Sequence, residues 1–177
     1  MIVSVDFVSK ADIASLEPGP NTIAVSIVDP GDFPPRLSPG FLKVIRLEFH
    51  DRIGDPSDFD APRDSLDVLE FIDRRRHDNY IKAGFIPFKW VLFSESDALA
   101  LAREIVSLQE STDVFQIVVH CFAGKSRSAA VASVIAEFAG IPLAKPCDEA
   151  NPRILAMLSS SIAQLLDGST RAFRFSR

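Results

Sequence analysis

VFQIVVHCFAGKSRSAAVASVIAEFAG, residues 114–140, decides how the rest of the chain is read. Val114 to His120 is an apolar, β-branched run of the length of a buried strand. Cys121 to Ser128 holds a glycine among polar residues, the composition of a turn. An Ala-rich apolar segment then runs to Gly140, the residue type that most often closes a helix at its carboxyl end. The turn therefore sits at a helix N-terminus, where unpaired N–H groups and the macrodipole make an anion site. Gly124 permits a tight curl of the backbone. Successive N–H groups can then converge as a nest.

The remaining segments supply the elements around this unit. IVSVDFVS at the start of the chain and TIAVSIVD (Thr22 to Asp29) read as strands, the second of them buried. A short helix is expected from Ala11 to Leu16, closed by Pro18, Gly19 and Pro20. After a Pro-rich loop, FLKVIRLEF (Phe41 to Phe49) is a third strand. HDRIGDPSDFDAPR is an acidic loop, and SLDVLEFIDRRR has the spacing of a helix. DNYIKAGFIPFKWVLF is apolar but is interrupted by Gly84 and Pro87. SESDALALAREIVSLQ predicts a helix capped by Ser94 or Ser96, with acids in its first turn. NPRILAMLSSSIAQLL predicts a last long helix with Pro152 at its first position, followed by the basic, partly loose tail RAFRFSR. Strands alternating with helices argue an α/β domain with a mostly parallel sheet.

Composition narrows the classes. A chain of 177 residues suits one domain, and 47% apolar with 24% charged residues is the balance of a folded globule. No apolar run approaches the ~18–20 residues of a membrane span. The start lacks a basic stretch and carries Asp6 early, so no signal peptide is read. A net charge of −5 argues against a nucleic-acid partner. Cys121 and Cys147 are the only cysteines, too few for a disulfide framework, and His50, His77 and His120 lack zinc-like spacing. No metal or cofactor is expected. The cysteine usage fits a reducing, cytoplasmic setting, in which a lone Cys beside a His is a candidate nucleophile.

Cys121 lies at the floor of the expected nest. A positive surrounding lowers a thiol's pKa. Arg127 offers a planar fork that suits two phosphate oxygens. A Cys at a strand end is most often a small core residue, and His120 could be a satisfied core histidine. Gly124, Arg127 and Ser128 in register are what favour chemistry, namely covalent phosphoryl transfer through a thiophosphate. A Walker nucleotide loop would need glycine where Val119 stands.

The run His120, Cys121, Phe122-Ala123-Gly124-Lys125-Ser126, Arg127, Ser128 resembles the signature of cysteine-dependent protein tyrosine and dual-specificity phosphatases. The resemblance covers roughly residues 23–51 and 94–166. It implies a three-layer α/β fold with a central, mostly parallel sheet flanked by helices. By it Cys121 would attack phosphorus, and Arg127 with the backbone of Phe122 to Ser126 would hold the phosphoryl oxygens. Ser128 would ease departure of the sulfur, while His120 would hold the loop and keep the thiol acidic. The likeness favours this family over rhodanese-like sulfurtransferases and the low-molecular-weight phosphatases. Lys125 also resembles the loop lysines of phosphoinositide phosphatases, and Phe122 could line the pocket mouth.

Leaving-group protonation needs a general acid. In the resembling family this is an Asp on a loop after an earlier strand. Asp51 is the first choice, since it follows the third strand almost at once; Asp55 is the second, with Asp58 and Asp60 in the same loop. Asp97 reads as a helix cap. Asp51 stands farther from the cysteine than is usual in the family. The excess reads as an insertion at about 56–93 in a single domain spanning 1–177, and it holds Arg74, Arg75, Arg76 and Trp90. Asn151 or Arg153 could support the loop, and Cys147 reads as an inert buried thiol. The expected activity is hydrolysis of phosphotyrosine or other phosphoprotein esters. A small-molecule, lipid or RNA phosphatase and a non-catalytic phospho-binding module are the alternatives.

Overall fold

The computed structural model describes residues 1–52 and 91–174, with side chains as far as residue 167. These residues fall within one unit, Met1–Ile53 with Val91–Arg177. Its elements are β1 (Ile2–Ser9), α1 (Lys10–Ala14), β2 (Thr22–Val28), β3 (Lys43–Glu48), α2 (Glu95–Glu110), β4 (Phe115–Cys121), α3 (Arg127–Ala139) and α4 (Pro152–Arg174). The expected helix SLDVLEFIDRRR, the arginine cluster, Trp90 and most of the 56–93 segment lie outside the described residues. Leu92 and Phe93 are described, and both are buried.

The four strands form one sheet in the order β1-β4-β2-β3, and every pairing is parallel. The register sets Phe7 beside Val119, Val119 beside Val25, and Val25 beside Ile45. Strand alternation puts these side chains on one face. With Val5, Ile117 and Leu47 they pack against Leu101 and Ile105 of α2, Val131 and Ile135 of α3, and Ile154, Leu158 and Ile162 of α4. Strand β2 is buried at every position, as a central parallel strand is. The architecture is α/β, a parallel sheet with flanking helices.

The helices start and stop where local chemistry allows. Ser9 and Asp12 form a capping box on α1, and Ser94 and Asp97 form one on α2. Asp97 is thus a cap, as the sequence suggests. Helix α3 ends at Gly140, whose φ of 68° is left-handed, and the Ile141 N–H reaches back to the Ala136 carbonyl at 3.0 Å.

Several boundaries differ from the sequence reading. Strand β2 stops at Val28, so Asp29 leaves the sheet. Strand β3 is shorter at both ends than Phe41 to Phe49. Phe49 packs on Phe93 with ring centroids 4.9 Å apart, tying the end of β3 to the start of α2. Helix α4 continues to Arg174, into the stretch read as a loose tail. Among the described residues no helix is long and apolar enough to cross a membrane.

Candidate functional site

An all-parallel sheet brings its carboxyl ends to one edge, the edge at which α/β folds bind ligands. Here Ser9 ends β1, Asp29 and Phe49 follow β2 and β3 directly, and Cys121 ends β4. All four residues take part in the arrangement around the turn between β4 and α3.

That turn is pinned over the end of β1. The Lys10 N–H donates to the Phe122 carbonyl at 3.2 Å. Gly124 has φ +71°, and a Cβ there would lie 2.5 Å from the Ser9 nitrogen and 2.6 Å from the Val8 carbonyl carbon. Glycine is required both for the left-handed backbone and for the close approach. Phe122 and Ala123, which follow the cysteine, are exposed.

Cys121 is 3% exposed, and its Sγ lies 3.2 Å from Ser128 Oγ. Burial pushes the thiol pKa up. The Ser128 hydroxyl, the backbone N–H groups of Ser128 and Lys125, and the Arg127 charge outweigh burial, so the thiol titrates below its ordinary range. The first turn of α3 therefore supplies donors to the sulfur, with the dipole adding to them.

Arg127 opens α3 and is almost wholly buried. Its Nη1 donates to Asp29 Oδ1 at 2.6 Å and to the Phe49 carbonyl at 2.6 Å. Its guanidinium carbon lies 6.0 Å from the Phe49 ring centroid. A cation at a helix N-terminus opposes the dipole, and the Asp29 carboxylate offsets that cost. The buried Nε has no hydrogen-bond partner. The guanidinium is thus fixed through Nη1, while its buried Nε–H is unpaired.

His120 points to the opposite sheet face from Cys121, as strand alternation requires. It is wholly buried, and its Nε2 lies 2.9 Å from Ser26 Oγ, the residue paired with it across β2 and β4. Burial, with the Lys10, Arg46 and Arg127 charges, lowers its pKa to about 4. The imidazole is therefore neutral at neutral pH and supplies no cation to the thiolate. Its visible work is to anchor the end of β4 to β2.

Asp51 is brought to the rim of the turn. Its Oδ1 accepts from Ser126 Oγ at 2.8 Å and from Asn151 Nδ2 at 2.9 Å. Asp55, Asp58 and Asp60 lie outside the described residues. Lys125 pairs with Glu149 at 3.3 Å, both side chains being well exposed, so its charge is shared with a carboxylate. Arg153 Nε donates to the Phe93 carbonyl at 3.0 Å. Cys147 is half-buried, with its Sγ 3.8 Å from Ser133 Oγ, and both cysteines are free. Among the described residues no three His, Cys, Asp or Glu side chains are grouped to hold a metal ion.

Asp29 and Ser26 are the two residues the sequence reading passes over. Asp29 stands as a carboxylate at the end of a buried apolar strand, and Ser26 is a hydroxyl within it; each was a local anomaly. Comparison of the chain with protein-family models, with curated protein sequences and with solved structures finds no match.

Proposed function

We propose that the chain is a phosphomonoester hydrolase of the protein tyrosine or dual-specificity phosphatase type, acting through a cysteinyl-phosphate intermediate. The observation that carries the reading is the convergence on Cys121 Sγ: the Ser128 hydroxyl, two backbone N–H groups and the Arg127 charge all favour a thiolate at a helix N-terminus. In the first step the thiolate attacks phosphorus. The sulfur–phosphorus bond forms, the ester phosphorus–oxygen bond breaks, and Asp51 gives its proton to the leaving oxygen. In the second, water attacks phosphorus and Asp51 takes its proton. The sulfur–phosphorus bond breaks, its electron pair returns to sulfur, and the Ser128 hydroxyl donates a hydrogen bond to the thiolate that re-forms. Arg127 and the N–H groups of the turn hold the phosphoryl oxygens throughout. Two unpaired cysteines suit a reducing, cytoplasmic setting.

Steady-state hydrolysis of an aryl phosphate tests the reading, together with mass spectrometry of acid-quenched protein. Wild type is expected to turn over and to carry phosphate on the Cys121 peptide. Cys121→Ser is expected to lose at least ~10⁴-fold in kcat, as removal of a covalent nucleophile does. Full hydrolysis by Cys121→Ser would overturn the covalent mechanism. Binding of phosphopeptide without turnover would leave a phospho-binding module.

A further inference from the structure

Asn151 joins three segments around the turn. Its Nδ2 donates to Asp51 Oδ1 at 2.9 Å and to the Arg52 carbonyl at 3.2 Å. Its Oδ1 accepts from the Arg153 N–H at 3.0 Å and from the Ile154 N–H at 3.4 Å, which caps α4. Its own backbone N–H donates to the Ser126 carbonyl at 3.3 Å. The side chain is 2% exposed. Capping needs only the carboxamide oxygen. Serine or aspartate would serve there as well, but neither carries the amide N–H group aimed at the Asp51 carboxylate. Asp51 otherwise lies on an exposed stretch just past β3, where a free side chain samples several rotamers. Two donors, Asn151 Nδ2 and Ser126 Oγ, meet on the same carboxylate oxygen. That oxygen is thereby fixed, and Oδ2 is the oxygen left to handle a proton.

We propose that Asn151 is a positioning residue for the Asp51 carboxyl group, holding it at the rim of the Cys121 turn so that it can protonate the leaving oxygen. This rests on the phosphatase reading and adds the residue that orients its acid. The amide N–H group, and not the cap, carries the effect on chemistry.

Three proteins separate the two halves of the side chain: wild type, Asn151→Ser and Asn151→Ala. Each is assayed on phenyl phosphate, a poor leaving group, and on dinitrophenyl phosphate, whose leaving group needs no proton. Asn151→Ser keeps a helix cap and loses the amide donor. It is expected to lose about tenfold in kcat/KM on phenyl phosphate, part of the ~10²–10⁴-fold that general acids supply, and to match wild type in kcat/KM on dinitrophenyl phosphate, since kcat/KM reports the steps through ester cleavage and not the hydrolysis of the shared intermediate. Asn151→Ala is expected to show the same selective loss and also to melt earlier, because the cap is gone. Wild-type turnover of phenyl phosphate by Asn151→Ser would overturn the proposal. So would an equal loss in kcat/KM on both substrates, the mark of a purely structural role. No turnover of either ester by wild type would remove the phosphatase reading itself, and this inference with it.

Discussion

Helices α2 and α3 both begin at a serine, and the two serines are used in opposite ways. At α2, Ser94 Oγ accepts from the Asp97 N–H at 3.2 Å, Asp97 Oδ2 accepts from the Ser94 N–H at 2.9 Å, and Glu95 adds a second acid. The dipole and the open N–H groups are closed by the helix's own residues. At α3, Ser126 makes no cap bond and instead donates to Asp51. There is no acid in the first turn, and the first residue is an arginine. The positive end of α3 is left for the Cys121 sulfur. One helix start is closed by its own side chains, and the other turns its donors to the Cys121 sulfur.

The largest effect that would break this contrast comes from Arg127. Arg127→Ala removes the cation from the open end, and kcat on an aryl phosphate is expected to fall ~10²–10³-fold, the scale of losing a preorganised charge donor. Unchanged turnover would mean the two helix ends do not differ in function. The next effect is on the thiol. Alkylation of Cys121 by iodoacetamide, followed in Cys147→Ser protein, is expected to rise with pH through an inflection below the free-thiol range, because the thiolate is stabilised in the fold. Ser128→Ala removes one donor and moves the inflection up. A depressed thiol pKa stabilises the fold fully above the unfolded thiol's pKa, and that part is lost as pH falls through the folded value. An inflection at or above that of a free thiol would sink the claim that α3 is open toward the sulfur. The smallest effect is at the closed end. Ser94→Ala is expected to cost about 1 kcal/mol in urea unfolding, with turnover unchanged. A fall in turnover to match would show that α2 also serves the site.

Much of this was legible in the chain because it is local. The apolar run before Cys121, Gly124 in the turn and the Ala-rich run to Gly140 each act within a few residues, through burial period and backbone freedom. They predict strand, turn and helix at nearly the observed bounds. Asp51 could be nominated because it follows a strand end. The strand order β1-β4-β2-β3 could not be read, since periodicity fixes which face is buried and not which neighbour pairs with it.

What could be read from the chain alone is a local grouping: a thiol, a guanidinium and a hydroxyl at fixed spacing on a turn entering a helix. What holds them comes from packing between distant segments. Arg127 is fixed by Asp29, 98 residues away. His120 is tied to Ser26 across 94 residues, and Asp51 meets Ser126 across 75 and Asn151 across 100. Such partners follow from the parallel sheet, which gathers the carboxyl ends of strands far apart in the chain. A polar residue just past a strand has no assigned partner until neighbouring strands and helices are packed beside it.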